Sequence, residues 1–237
     1  MSTRRDRRRA ATYEEIVAAA RAQLAEGREL ALRGIADAIG MSSPGLYRYV
    51  TSRSQLVDLV AETIDADAVR AVEADVLGYP EGDPAARWVS GWAGYRQWAL
   101  RHSGEFRLVI GHPRSGGEQP LSLREASDGY LGTLLHELWR HQGFAIPEPV
   151  VARAAAYDAG HRSGRSAQWP AGLAWLHQRV SASHNGIIAL EVTGYVADEL
   201  VADAALFRET LLDWLPRLGL QSETARLAAV LDAELAV

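Results

Sequence analysis

The stretch "IADAIGMSSPGLYRYVTSR", residues 35–53, decides the fold of the N-terminal part of the chain. Ala36 is small enough for two helices to approach closely, and Gly40 can adopt the positive φ that a tight connecting turn requires. Pro44 fits the first turn of a following helix, where a missing N–H costs nothing. Leu46 then returns to the core. The stretch therefore predicts two short helices joined by a tight turn.

Amphipathic helices flank this stretch on both sides. Thr12 followed by Glu15 has the pattern of a capping box, and apolar residues at helical spacing continue to Gly27. After the stretch, a long helix of about residues 53–76 is predicted from its apolar spacing. The sequence thus predicts a three-helix module over residues 12–53, which this fourth helix connects to the rest of the chain.

Charge is distributed unevenly around this module. Residues 1–53 contain 10 Arg and 6 acidic residues, a net charge of +4, whereas residues 54–237 contain 15 Arg and 24 acidic residues, a net charge of -9. Five of the arginines lie between Arg4 and Arg9, and we predict that residues 1–11 form a disordered basic arm. A basic module on an acidic body is typical of a nucleic-acid-binding unit attached to another domain.

Composition also excludes several classes of protein. The 237 residues include no Cys, and all 25 basic residues other than His are Arg, so thiolate chemistry, a Walker-type phosphate loop and a lysine Schiff base are excluded. No long uncharged apolar run or signal peptide is found, which predicts a cytoplasmic protein without a membrane partner. In "HELWRH" the histidines are five residues apart, which does not place them on one helical face as a zincin motif requires. We expect no enzyme activity, metal or cofactor.

The predicted third helix and its flanks supply the candidate DNA contacts. A recognition helix enters the major groove with its N-terminal turn towards the bases, and Arg to guanine is the commonest specific pairing. The start of the fourth helix can hold a phosphate through free backbone N–H groups and a guanidinium. The candidate residues are Arg33, Ser42, Ser43, Pro44, Gly45, Tyr47, Arg48, Thr51 and Arg53.

Residues 12–65 resemble TetR-type (tetracycline-repressor-like) transcriptional regulators. The resemblance rests on "TYEEIVAAARAQLAEG", "LRGIADAIGMSSPGLYRYV" and "TSRSQLVDLV". The chain departs from the family at Ala31, Val50 and Arg53, where Thr or Ser, Phe and Lys are usual. The resemblance implies that residues 77–237 form a helical domain that dimerises and holds a small effector molecule.

The remaining sequence also has helical periodicity throughout, and we predict an all-α fold. Breaks rich in Gly, Pro and Ser separate the apolar patterns. The predicted helices are Ala85 to about His102, Leu121–Gln142, Pro147 to about Gly160, Ala171 to about Leu200, Ala204–Leu215, and Ser222 to the end of the sequence. Two of these patterns, residues 176–200 and 205–219, interleave small and apolar residues and are candidates for a dimer interface, or for packing within one chain.

Aromatic residues suggest where a small molecule could bind in the larger domain. All seven Trp lie beyond residue 80, and several aromatic side chains share helical faces. Core packing is the commoner role for any single one of them. The candidate ligand-binding residues are Trp88, Trp92, Tyr95, Tyr130, Trp139 and His184.

The sequence favours a homodimeric repressor that binds a palindromic DNA operator and is released by a small apolar or aromatic ligand. Two alternatives stay open at this point. The ligand could instead promote DNA binding, or the chain could be an all-α small-molecule carrier whose DNA-binding module is not functional.

Overall fold

The computed structural model describes residues 3–111, 125–148, 150–152, 154–155 and 169–236, and the side chains of residues 125–128 are not among those described. These residues contain helices and no strand, which confirms the all-α prediction. The chain divides into two units. Unit 1 comprises residues 1–67 and 102–124, and unit 2 comprises residues 68–101 and 125–237.

The described residues of unit 1 form four helices and the first part of a fifth. They are α1 (Arg4–Ala25), α2 (Leu32–Ala38), α3 (Ser43–Leu46), α6 (Ser103–Gly111) and residues 53–67 of α4 (Arg53–Val76). α2 packs against both α1 and α3. Ile16, Ile35, Leu46 and Leu56 are among the fully buried side chains of this small core.

The turn between α2 and α3 is a Schellman motif. Gly40 has a φ of 65°, and its N–H bonds to the Asp37 carbonyl at 3.2 Å, while the N–H of Met41 bonds to the Ala36 carbonyl at 2.8 Å. These two bonds satisfy carbonyl groups that the end of a helix otherwise leaves free. The predicted role of Gly40 in a tight turn therefore has a hydrogen-bonded basis.

The predicted disordered arm is helical. α1 begins at Arg4, eight residues before the predicted start at Thr12. Its capping box is formed by Thr3 and Asp6, with bonds of 2.9 and 3.2 Å, whereas the Thr12 hydroxyl donates to the Arg8 carbonyl inside the helix. The signal was present in the sequence, because Thr3 and Asp6 have the same spacing as Thr12 and Glu15.

Two other helices of the N-terminal half differ from expectation. α3 has only four residues, and its chain continues as a turn in which the N–H of Val50 bonds to the Leu46 carbonyl at 3.1 Å. The helix α6 was not predicted, and it packs on α1 within unit 1 although the sequence analysis placed its residues in the larger domain.

The helices of unit 2 whose bounds the structure describes are residues 68–76 of α4 and six further α-helices. These are α5 (Pro84–Arg101), α7 (Glu125–Gln142), α8 (Leu173–Val192), α9 (Asp198–Ala202), α10 (Ala205–Leu212) and α11 (Thr224–Leu235). Short 3₁₀ turns occupy Leu215–Leu218 and Gln221–Glu223. Helical residues also occur at 148, 150–152 and 154–155, within the helix predicted over residues 147–160, whose other residues lie outside the described ranges. The predicted start of α7 at Leu121 lies outside them as well.

The central helix of unit 2 is α5, which packs against α7, α8 and α11. Gly91 lies where α5 meets α7, and a Cβ there would lie 2.7 Å from the Leu134 side chain, so glycine allows this close approach. Five residues further along α5, Arg96 forms a buried ion pair with Glu191 of α8. Close packing at Gly91 thus fixes α5 against α7, and the ion pair fixes it against α8.

The long helix predicted over residues 171–200 ends at Val192. Gly194 has a φ of 72°, and the N–H of Tyr195 bonds to the Leu190 carbonyl at 2.9 Å, which is a second Schellman turn. A separate short helix, α9, then covers residues 198–202.

Candidate nucleic-acid interface

The start of α3 is fixed by its own residues. The Ser42 hydroxyl accepts a hydrogen bond from the N–H of Gly45 at 3.2 Å, which caps the helix, and Pro44 occupies the first turn. A Cβ on Gly45 would lie 2.9 Å from the Met41 side chain, so glycine lets the turn close on that residue. Ser42, Ser43 and Pro44 remain exposed. The leading end of α3 is slim, ordered and open to solvent.

Polar and basic side chains extend from both helices of this motif. Tyr47 is 50% exposed, and Arg48 beside it is exposed as well. Arg33 is exposed on α2. Leu46, in contrast, is buried, so the turn that carries Tyr47 and Arg48 is anchored in the core of unit 1. This gives two potential contact residues a rigid support.

The start of α4 is less free than the sequence suggested. The N–H and the hydroxyl of Thr51 both donate to the Gln55 side-chain oxygen, at 2.6 and 3.0 Å. The Nε of Arg53 donates to the Leu30 carbonyl at 3.4 Å, and its guanidinium lies 3.7 Å from the Glu29 carboxylate. Thr51 thus uses its N–H within the protein, while the Arg53 side chain is still 63% exposed.

A basic groove lies next to the turn that carries Tyr47 and Arg48. It has a volume of about 670 Å³ and is lined by Arg4, Arg5, Arg8, Arg9, Arg48 and Tyr49. Four of the arginines come from the N-terminal turns of α1, which the sequence analysis interpreted as disordered. The sequence analysis therefore did not predict an ordered groove from these arginines, although a disordered arm of this kind was expected to contact the minor groove or the phosphates.

A tyrosine pair connects the two sides of this groove. The Tyr13 and Tyr49 rings are in edge contact, with their centroids 5.5 Å apart, and the Tyr13 hydroxyl donates to the Tyr49 carbonyl at 3.3 Å. Arg9 donates to the same Tyr13 hydroxyl at 3.2 Å. The first turns of α1 are therefore tied to the segment that follows α3.

A second set of contacts ties α6 to α1 and α4 within unit 1. The Arg21 guanidinium makes a two-bond contact with the Glu105 carboxylate, at 2.6 and 3.0 Å, and also pairs with Asp67. Two parallel bonds fix the orientation of a guanidinium more firmly than one. This ion cluster makes α6 part of the same unit as the helix-turn-helix motif.

Close packing at Gly104 leads to a stability prediction for this contact. A Cβ at Gly104 would lie much closer to the Leu24 carbonyl oxygen than van der Waals contact allows, and this backbone atom cannot rotate away. We expect Gly104→Ala to lower the free energy of unfolding by about 1–3 kcal/mol. Gly111→Ala in the same helix is the control, because no atom of the described residues lies within 4 Å of a Cβ at that position, and its effect should stay within about 0.5 kcal/mol. Equal denaturation midpoints for the two variants would refute this packing.

Four of the predicted ligand-binding residues come together in unit 2. The His184 ring stacks on Trp92 with 4.4 Å between centroids, and it meets Trp88 edge-on at 6.1 Å. Tyr95 contacts Trp92 at 6.1 Å, and Phe207, which the sequence analysis did not select, lies 5.8 Å from His184. We call these five side chains the aromatic cluster.

Burial determines the protonation of the histidine in the aromatic cluster. Burial lowers the pKa of His184 to about 4, although its bond to the Val180 carbonyl acts in the opposite direction. In the neutral ring, Nδ1 donates to the Val180 carbonyl at 2.8 Å, which leaves Nε2 as an acceptor. Nε2 of His184 and Nε1 of both Trp88 and Trp92 are buried and find no hydrogen-bond partner among the residues that the structure describes. Such atoms are costly to bury unless a water or a ligand satisfies them.

The other two predicted ligand-binding residues lie elsewhere in unit 2. Trp139 stacks with His136 at 6.1 Å, and His136 also contacts Trp169. Tyr130 is near Arg87, and burial raises the pKa of its hydroxyl. Helical spacing placed these residues on α7 but could not show which partners α7 would bring to them.

Within the described ranges, no three His, Asp or Glu side chains are grouped so that they could hold a metal ion. No helix in the part of the chain that the structure describes is long and apolar enough to cross a membrane.

The fold and the exposed basic face define a general class, an all-α protein with a helix-turn-helix unit followed by a larger helical bundle. No family model and no curated protein sequence matches the chain. A solved crystal structure described as that of "putative regulatory protein SCO4313" is similar, with a TM-score of 0.63 and 25% sequence identity. The match covers 90% of this chain and 100% of that one. The chain is thus structurally similar to a protein described as a regulator.

Proposed function

We propose that the protein is a homodimeric, ligand-responsive transcriptional regulator of the TetR type, most simply a repressor. Each helix-turn-helix motif reads one half of a palindromic DNA operator, and a small aromatic ligand with a polar group releases the protein from DNA. The observation that carries the proposal is the exposed face of α3 and its flanks, where Tyr47 and Arg48 stand on a turn anchored by Leu46.

The geometry of that face favours duplex DNA over other anionic partners. A slim, capped helix start can approach base edges in the major groove, while an adjacent guanidinium can bind guanine or phosphate. Arg33, Arg48 and Arg53 are all exposed in unit 1, in a chain whose overall charge is -5. Local positive charge of this kind attracts phosphates even when the net charge of the whole protein is negative.

The outer face of α8 supports the dimer. Ala182, Gly186 and Leu190 are exposed and recur every four residues, so they form one stripe along the helix. Tyr195 follows with 82% of its surface exposed. Small residues allow helices to approach closely and the larger apolar ones gain from burial, which is the pattern expected of a helix that packs on its copy across a two-fold axis.

The aromatic cluster supports an effector with both aromatic and polar character. Its rings offer stacking surfaces, and the unpartnered Nε1 atoms of Trp88 and Trp92 are donors. Nε2 of His184, which has no partner among the described residues, is an acceptor. A planar ligand that carries both a carbonyl, which accepts from the indole N–H groups, and a hydroxyl, which donates to Nε2, would satisfy these atoms. Release from DNA then requires that such a ligand bind one conformation more tightly than the other.

Selection of duplexes from a random DNA pool by the purified full-length protein tests the proposal. We expect enrichment of a palindrome whose half-sites are about one helical turn apart, bound by two chains. Enrichment only after addition of small aromatic compounds would indicate a ligand-activated binder instead. The carrier alternative predicts no enrichment under either condition.

Arg48 provides the sharpest test by mutation. Arg48→Ala should weaken binding to the selected duplex by about 1–3 kcal/mol, because an exposed guanidinium on the recognition turn is lost. Fluorescence anisotropy with labelled duplex measures the change. Arg107→Ala, an exposed arginine on α6 of the same unit, is the control and should bind like the unaltered protein. An unchanged affinity for Arg48→Ala would remove this residue from the interface.

A further inference from the structure

We infer that the basic groove beside the recognition turn is a second DNA contact, a preformed site for the phosphodiester backbone that sets affinity independently of sequence. The inference rests on the proposed function and extends it to residues of α1. The groove is lined by five arginines and Tyr49 from two separated segments of unit 1. Its ligand is a run of phosphodiesters, recognised through charge and guanidinium hydrogen bonds.

The arginines of the groove form no ion pair with a carboxylate within the described part of the chain. The Arg9 side chain donates a hydrogen bond to the Tyr13 hydroxyl. Asp6, the acidic residue among them in sequence, is occupied by the capping box with Thr3. The positive charge of the groove is therefore available to a partner.

The arrangement is unfavourable for an isolated protein. Arg4 and Arg8 are four residues apart on one helix, as are Arg5 and Arg9, and like charges at this spacing repel each other. Positive side chains in the first turns also oppose the helix dipole. A polyanion bound in the groove offsets both unfavourable interactions, because it attracts the guanidinium groups and is itself favoured at the N-terminus of a helix. A helix with these four arginines on one side is therefore more stable with a bound polyanion than without one.

Position favours duplex DNA over other polyanions. Arg48 belongs to the groove and also directly follows Tyr47 on the proposed recognition turn. The Tyr13–Tyr49 contact holds the first turns of α1 beside that turn. A duplex on the face of α3 would thus continue past the groove, and one ligand would serve both surfaces. Phosphate contacts of this kind position a protein on DNA without reading its sequence.

Neighbouring arginines of α1 allow a matched test. Arg8 lines the groove and Arg7 does not, although both are exposed and lie in the same helix. The affinity of each full-length variant for a mixed-sequence duplex of about three helical turns would be measured between about 50 and 200 mM salt. The slope of log affinity against log salt should become shallower by about 0.9 for Arg8→Ala and about 1.8 for Arg4→Ala/Arg8→Ala, and stay unchanged for Arg7→Ala. Circular dichroism should show equal helix content in all three.

Each outcome decides the inference. Equal slopes for Arg7→Ala and Arg8→Ala would overturn the groove as a site but leave the proposed function standing if the unaltered protein still selects a palindrome. Failure of the unaltered protein to bind any duplex would overturn both. Vesicles containing phosphatidylserine form a second arm, in which Arg8→Ala should bind like Arg7→Ala. A loss confined to the vesicles would assign the groove to a membrane surface instead.

Discussion

Arg96→Ala should destabilise the protein by about 3–5 kcal/mol, the largest effect expected of any single substitution considered for this chain. Arg96 and Glu191 are 4% and 5% exposed, and their two bonds measure 2.7 and 3.2 Å. Arg96 also donates to the Val201 carbonyl at 2.7 Å. Removal of the guanidinium leaves the buried Glu191 carboxylate without its partner, and the free energy of unfolding falls. Urea denaturation measures this fall.

An exposed pair in the same unit serves as the control. Arg208 contacts Asp232 through two bonds of 2.6 and 3.0 Å, but the two side chains are 35% and 52% exposed. Arg208→Ala should therefore cost about 1 kcal/mol or less. The double variant Arg96→Met/Glu191→Leu should recover most of the loss, because no unpaired charge remains. Equal losses for Arg96→Ala and Arg208→Ala would contradict the buried ion pair.

The loss caused by Arg96→Ala should depend on pH. Burial raises the pKa of Glu191, and Arg96 partly opposes that shift. Without Arg96 the pKa of Glu191 in the folded protein rises further. Between the pKa of Glu191 in the unfolded chain and that in the folded protein, the folded protein therefore holds a proton that the unfolded chain has released. Stability then falls as pH rises. The difference from the unaltered protein should be larger at about pH 8 than at about pH 5.

Leu46→Ala should destabilise unit 1 by about 2–5 kcal/mol and also weaken operator binding. Leu46 is 1% exposed and is the one buried residue of the four in α3. Loss of its side chain leaves a cavity beneath the recognition turn and frees Tyr47 and Arg48 from their support. Thermal unfolding followed by circular dichroism, together with amide exchange in residues 32–50, measures both consequences.

Substitution of an exposed leucine is the control, because it removes the same atoms as Leu46→Ala without leaving a cavity. Leu77 is 79% exposed, so Leu77→Ala should change stability by no more than about 0.5 kcal/mol. If Leu46→Ala were equally mild, or if it reduced stability while amide exchange in residues 32–50 stayed the same, the proposed anchoring of the recognition turn would be wrong.

Local signals were enough to predict the centre of unit 1. The positive φ of Gly40 and the burial of Leu46 depend on a few neighbouring residues, and the structure has both as expected. The start of α1 is equally local, but an arginine-rich segment resembles a disordered arm, and the spacing of Thr3 and Asp6 was not recognised as a helix cap.

Contacts between distant residues could not be predicted in the same way. The spacing of Trp88, Trp92 and Tyr95 placed them on one helix, but the stacking of His184 on Trp92 depends on how α8 packs against α5. The position of α6 depends likewise on Arg21 and Glu105, which are 84 residues apart. Helix periodicity shows that a face is buried and does not identify the helix that covers it.

The most direct test of the DNA-binding proposal is the ratio of affinities for the selected palindrome and for a scrambled duplex of the same composition, measured by anisotropy at about 150 mM salt. A sequence-specific regulator should bind the palindrome at least about 10³-fold more tightly, with two chains per duplex. Equal affinity for the two duplexes would contradict sequence recognition by the helix-turn-helix motif.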